Sequence, residues 1–153
     1  MGASLTIYEQ PFVQRLETVE SLVDQLFPQA IQRNMEWRAK KLKDFIDNAP
    51  GKILGNLGDV CNELELPLSV RQARRLFRGS TGVSINEYAR KRRLVSAARQ
   101  LQDTDESVKA IATDAGYHTH KAFAKSFHDM FQLTPMEFRR MWHRTQVTAW
   151  IAR

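Results

Sequence analysis

The chain has one cysteine, Cys61, among 153 residues. That excludes an intramolecular disulfide and any cysteine-based zinc cluster. Long apolar runs are also missing: the longest, Ala149 to Ala152, is four residues, far below the roughly 18 to 20 needed to cross a bilayer. No basic residue precedes Arg15, so no charged segment leads into an apolar one and no secretory signal is visible. A soluble protein in a reducing, cytoplasmic setting, with no membrane partner, is the expectation. The sequence holds no Gly-rich phosphate loop, no Ser/His/Asp set and no pair of acids in a plausible cleft, so catalysis has no candidate residues and no enzyme is expected. His118 and His120 form a His-x-His, but His128 and His143 lie elsewhere along the chain. Without a third ligand, neither a metal nor a cofactor is expected.

What is present is apolar sequence and positive charge. Hydrophobic residues make up 42% of the chain, about one domain's worth and enough for a core. The 23 Lys plus Arg against 17 Asp plus Glu give +6 and a pI near 9.8, a balance suited to a polyanionic partner. Residues 1 to 50 hold six basic and seven acidic side chains, and residues 51 to 153 hold 17 and ten. From Ser69 to Gln100 the basic residues are Arg71, Arg74, Arg75, Arg78, Arg90, Lys91, Arg92, Arg93 and Arg99, against Glu87 alone. A charge run is by itself usually a solvated face, so spacing has to decide.

Apolar residues recur at three and four, which predicts helices and no strand. Phe12, Leu16, Val19, Val23 and Leu26 form one stripe on a helix ending near Pro28. A second helix, about Met35 to Asn48, is expected to gather Trp37, Leu42, Phe45 and Ile46 and to stop at Asn48-Ala49-Pro50-Gly51. The domain boundary falls around residue 33. Asn56 caps a short helix with Leu57, Val60, Cys61 and Leu64 on one face, Cys61 being a small core residue. After a break at Glu65 to Leu68, Ser69 with Gln72 makes a capping box. The helix that follows turns Ala73, Leu76 and Phe77 inward, projects Arg71, Gln72, Arg74, Arg75 and Arg78, and ends at Gly79 to Gly82. Helix, turn and basic second helix is a helix-turn-helix pattern.

The unit recurs. Ser107 caps a helix with Val108, Ile111 and Ala112 inward, Gly116-Tyr117 turns the chain, and Thr119 caps a helix burying Phe123, Phe127 and Phe131. Those phenylalanines read as core and not as a stacking platform for single strands. His120, Lys121 and Lys125 face outward. Ser84 with Glu87 makes another capping box, opening a helix from Ile85 to Leu101 that joins the units as a rigid spacer of roughly 25 Å.

Leu76-Phe77, Thr81-Gly82-Val83-Ser84, Tyr88, Arg93-Leu94, Ala97, Ser107-Val108, Ile111-Ala112, Gly116-Tyr117, Phe123, Phe127, Thr134-Pro135 and Phe138-Arg139 occur in that order. Over about residues 40 to 142 this pattern resembles the AraC/XylS family of bacterial transcription regulators. The resemblance implies an all-α fold of seven helices, with two helix-turn-helix subdomains joined by a long helix. Each recognition helix would enter one of two successive major-groove segments on one DNA face. It divides the chain into an N-terminal helical extension, 1–33, and a DNA-binding domain, 34–153. The first helix-turn-helix spans about 56–80, the linker helix 85–101 and the second helix-turn-helix about 107–131.

By resemblance, base contacts fall to Arg71, Gln72 and Arg75 in the first recognition helix and to His120, Lys121 and Lys125 in the second. Phosphate contacts fall to the helix N-termini at Ser69 and Thr119, aided by Arg74, Arg78 and Arg92. The chemistry favours the first set, since Arg71 or Arg75 can grip guanine bidentately and Gln72 can grip adenine, whereas lysine is a point charge. One departure from the family lies in the first unit. Cys61 stands where alanine is preferred, no glycine follows, and the turn is about two residues longer than usual, which leaves the tilt of the first recognition helix open.

The function so implied is a sequence-specific double-stranded DNA-binding transcription regulator. It would be an activator working with RNA polymerase, cytoplasmic and associated with the bacterial nucleoid. The alternatives are a protein-interaction module on a helix-turn-helix scaffold and a nonspecific nucleic-acid binder. The family usually adds a large effector or oligomerisation domain, which residues 1–33 cannot hold. The chain reads either as a small stand-alone regulator or as a piece of a longer protein. The stripe within residues 10–33 suits a homodimer, or packing on its own DNA-binding domain.

Overall fold

Each helix opens where the sequence puts a side-chain oxygen one residue ahead of it, because the first amides of a helix have no acceptor of their own. The computed structural model describes residues 35–49 and 56–151. Among them the chain forms seven helices and no strand: α1 Trp37–Asn48, α2 Leu57–Glu63, α3 Val70–Thr81, α4 Ile85–Asp103, α5 Val108–Asp114, α6 His120–Phe131 and α7 Pro135–Ile151. The stripe from Phe12 to Leu26 lies outside the described residues.

The expected caps are in place. Asn56 Oδ1 accepts from Gly58 N–H, Ser107 Oγ from Ala110 N–H and Thr119 Oγ1 from Ala122 N–H. At Ser69 the capping box is complete: Ser69 Oγ accepts from Gln72 N–H at 3.3 Å and Gln72 Oε1 accepts from Ser69 N–H at 2.9 Å. At Ser84 only half of the expected box forms. Ser84 Oγ takes the Glu87 N–H, but the Glu87 carboxylate faces Lys91 Nζ at 3.3 Å, the favoured i, i+4 ion-pair spacing. Thr134 and Glu137 form a reciprocal box ahead of α7, with Pro135 at the first helical position, where its missing N–H costs nothing. The two hydrogen bonds from Thr134, backbone and side chain, hold the Glu137 carboxyl below its ordinary pKa.

The first helix corrects two expectations. It begins at Trp37, where the Glu36 carboxylate accepts from the Arg38 and Ala39 amides, and Trp37 is 58% exposed while Leu42 and Ile46 are buried. Nine steps at ~100° set Trp37 about half a turn round the helix from Ile46. Ala39 takes the buried place instead.

Two cores result. One gathers Leu42, Ile46, Leu57, Val60, Cys61, Leu66, Ala73, Phe77, Ile85, Tyr88 and Ala89. The other gathers Leu94, Ala98, Leu101, Ile111, Phe123, Phe127, Phe131, Phe138 and Trp142 among others. Both draw on α4. Ile85 and Leu94 are again nine steps apart, as are Ala89 and Ala98, so the two cores sit on roughly opposite sides of this one helix. α1 packs on α3 and α4 in the first unit, and α4 packs on α5, α6 and α7 in the second.

The units correspond residue by residue. Ser69 matches Thr119 as N-cap; Ala73, Phe77 and Thr81 match Phe123, Phe127 and Phe131 as buried positions. Gly82 and Gln132 are both left-handed C-caps, at φ 78° and 58°.

The turns explain how the first unit does without glycine. In the second unit Gly116 has φ 76°; its N–H donates to Thr113 O and the Tyr117 N–H to Ala112 O. In the first unit Glu65 has φ 52°; its N–H donates to Asn62 O and the Leu66 N–H to Cys61 O. The same bonds close both turns, and the first is one residue longer on the way to its N-cap. That residue is taken up beyond the shared bonds, where the Leu68 N–H donates to Leu66 O at 2.8 Å across Pro67. This is a γ-turn, whose central φ proline already supplies. The longer turn therefore keeps the helix-closing bonds of the shorter one.

Left-handed geometry costs an ordinary residue ~1–2 kcal/mol, part of which glycine returns as chain entropy. Glu65→Gly is expected to stabilise by about 0.5–1 kcal/mol and to raise the melting temperature by roughly 2–6 °C. Gly116→Ala is expected to do the reverse, since its φ is positive and a Cβ there would lie 3.1 Å from Arg93 Nη1. Thermal unfolding followed by circular dichroism checks both signs.

Candidate nucleic-acid interface

Four arginines of α3, Arg71, Arg74, Arg75 and Arg78, are exposed. They recur at i, i+3, i+4 and i+7, which is one helical stripe. Opposite them Ala73 and Phe77 are fully buried, so the core fixes which way the stripe faces. The helix carries no acidic side chain, so no partner on the same helix neutralises these guanidiniums. Gln72 is exposed at the edge of the stripe with Oε1 already accepting the Ser69 N–H. It can address a base through its NH₂ group or by leaving the cap.

On α6, His120, Lys121 and Lys125 are all exposed. Lys121 and Lys125 correspond in register to Arg71 and Arg75, and His128 to Arg78. His120 corresponds to Val70, the first residue of α3. Ala122 and Ala124 stand where the first unit has Gln72 and Arg74, and Asp129 follows on the same helix. The second helix thus presents fewer donors, none of them a bidentate fork, and less net charge. Ser69 and Thr119 are exposed caps, each heading a helix whose first amides lack intrahelical acceptors.

Arg92 stands apart from the expected phosphate set. Its Nε lies 2.7 Å from Asp47 Oδ1, with the two side chains only 17% and 19% exposed. The Asp47 carboxylate also receives Lys43 Nζ at 2.7 Å and the Tyr88 hydroxyl at 2.8 Å. Burial, together with the hydrogen bond to Asp47, pushes the Tyr88 hydroxyl far above its ordinary pKa, so it remains a donor. This group ties α1 to α4 within the scaffold. Asp47 is the residue that sequence reading missed. Its spacing from Lys43 is a local signal, whereas its pairing with Arg92 and Tyr88 comes only from the fold. Cys61 is buried, and burial raises its thiol pKa, which fits a packing role.

Comparison with known proteins places this arrangement. A family model described as a helix-turn-helix domain matches residues 64–141. The chain is 39% identical over 83 residues to the HTH-type transcriptional activator RhaR of Mannheimia succiniciproducens, covering 54% of this chain and 29% of that protein. It is 37% identical over 65 residues to the regulatory protein SoxS of Escherichia coli K12, covering 42% of this chain and 61% of that one. The chain thus spans less than two thirds of the length of either relative. Among solved structures, an AraC-type transcriptional regulator from Chromobacterium violaceum superposes with a TM-score of 0.62 at 24% identity, covering 69% of this chain and 91% of that one. The DNA-binding domain of AdpA, solved in complex with a target DNA, gives 0.59 at 19%, covering 71% and 94%. With the family model covering half the sequence and the two-unit architecture shared, the chain belongs to the AraC/XylS family of helix-turn-helix regulators.

Proposed function

We propose that this chain is a sequence-specific double-stranded DNA-binding transcription regulator that reads two successive major-groove segments, one with α3 and one with α6. The observation that carries this reading is the exposed arginine stripe of α3, held opposite a buried Phe77 on the second helix of a capped helix-turn-helix unit. Arginine is the side chain best fitted to grip guanine O6 and N7 together. A relative named as a transcriptional activator supports the reading, as does a structural neighbour solved on DNA. The expected role is activation with RNA polymerase as partner, in the cytoplasm of a bacterium and on its nucleoid. The apolar stripe of residues 10–33 would serve a homodimer.

Readout is divided unequally. Arg71 and Arg75 specify bases in the first segment, with Gln72 assisting. Lys121, Lys125 and His120 contribute point contacts in the second. Arg74 and Arg78, with the helix N-termini at Ser69 and Thr119, hold phosphates. The role of Arg92 on this reading is to hold the scaffold through Asp47.

Binding-site selection from a random duplex pool, followed by titration against salt, tests these assignments. The logarithm of affinity is expected to fall steeply with the logarithm of salt concentration, at about −0.9 per phosphate contact, and a flat response would remove the nucleic-acid reading. Arg75→Ala is expected to cost ~1–3 kcal/mol on the selected site and to relax preference at one base pair. Arg78→Ala is expected to weaken all duplexes alike and to flatten the salt slope by about one. Arg92→Ala is expected to leave the salt slope unchanged but to lower folding stability by roughly 1–3 kcal/mol, because Asp47 loses a charged hydrogen-bond partner. A reduced slope in that variant would return Arg92 to the phosphate set.

A further inference from the structure

The correspondence between the units extends backward to the helix that precedes each helix-turn-helix. In the first unit that helix is α1 and in the second it is α4. Lys41 precedes the buried Leu42, and Arg93 precedes the buried Leu94. Lys41 Nζ donates to Leu64 O at 3.2 Å, and Arg93 Nη1 donates to Ala115 O at 3.4 Å. Leu64 and Ala115 are the C-caps of α2 and α5, so both acceptors are the carbonyl that opens the turn. The same contact is made twice, from equivalent positions, by different cations.

A cation suits this place. The last carbonyls of a helix lack intrahelical donors and carry the negative end of the helix dipole. At Arg93 the hydrogen bond is no shorter but the side chain is more enclosed: the guanidinium lies over the Tyr117 ring at 5.6 Å, within cation–π range, and close to Gly116. Its Nε is buried without a hydrogen-bond partner, so the side chain is packed into the fold and not extended toward solvent. Tyr117 in turn meets Phe123 edge-on at 5.4 Å, and Phe123 is a buried residue of α6. A continuous path of contacts therefore runs from α4 through the turn to the second recognition helix. In the first unit the Leu66 position equivalent to Tyr117 is buried in the core that includes Phe77 of α3.

We propose that Lys41 and Arg93 are paired positioning residues: each latches the turn of its helix-turn-helix from the preceding helix and so sets the attitude of α3 or α6, without touching DNA. The inference deepens the DNA-binding reading above and rests on it. The latch belongs to the turn rather than to the groove, so its loss would disturb one unit and leave the other reading normally.

The test uses the full chain and three variants. Arg93→Met and Lys41→Met keep an apolar stem of similar reach and lose the donor, and Arg93→Lys keeps a donor at the same place. Amide hydrogen exchange without DNA is expected to quicken by about fivefold or more at Gly116 and Tyr117 in Arg93→Met, with Glu65 and Leu66 unchanged. Lys41→Met is expected to give the mirror image. On duplexes selected by the unmodified chain, each methionine variant is expected to lose base preference in one half of the site, a different half for each. Both should keep the salt slope of the parent, and Arg93→Lys should recover most of the lost preference. A salt slope lowered by about one, with base preference intact in both halves, would make these residues phosphate contacts and overturn the proposal. Unchanged exchange at both turns would overturn it as well. Should the unmodified chain select no sequence, the DNA-binding reading falls, and the exchange rates alone decide whether the latch exists.

Discussion

An α-helix turns ~100° per residue, and that fixed rotation is the constraint on which the rest of the molecule depends. α4 must close one core with Ile85, Tyr88 and Ala89 and open another with Leu94, Ala98 and Leu101. The register between these sets puts the cores on opposite sides of the helix. Phe77 and Phe127 sit at equivalent places in the two cores, and whatever lies opposite them on α3 and α6 is exposed as a consequence. The arginine stripe faces outward because Ala73 and Phe77 face inward. Its direction is settled by apolar burial, which is worth more than any single exposed charge.

The units differ in how they are filled. The second core is a chain of aromatic contacts, Phe123 to Phe127 to Phe131 and on through Phe138 to Trp142. The first has Phe77 edge-on to Tyr88, with alanine and threonine where the second has phenylalanine. The first unit adds the Asp47 group, in which one carboxylate holds Lys43, Arg92 and Tyr88. Charged hydrogen bonds between α1 and α4 stand beside packing there, while aromatic packing dominates in the second. The same topology is thus held by two different balances of force.

Much of this was legible in the sequence where the signal is local. N-caps are read from one residue and its neighbour three along, and Asn56, Ser69, Ser84, Ser107 and Thr119 all cap as their positions imply. The buried faces of α3 and α6 follow from spacing alone. What escaped reading was set by the fold. Glu65 adopts a conformation that sequence assigns to glycine, because the bonds closing the turn demand it. The one-residue excess disappears into a γ-turn at Pro67. Arg92 looks like one more surface charge until α1 folds back and brings Asp47 against it. Trp37 reads as core when apolar character is counted and angular position is not.

The half-turn between the cores along α4 has a consequence for how such a molecule can vary. Removing or adding a single residue between Ala89 and Leu94 would rotate the second unit by ~100° and shift it ~1.5 Å along the axis. On the DNA-binding reading proposed above, the two recognition helices would then fall out of phase with a duplex whose grooves are themselves helical. The stretch beyond the shared bonds at Pro67 takes up a residue without altering that angle. Length in this chain is therefore quantised in one segment and freer in another. On that reading the spacer acts as a gauge for a second helix that is not part of the protein.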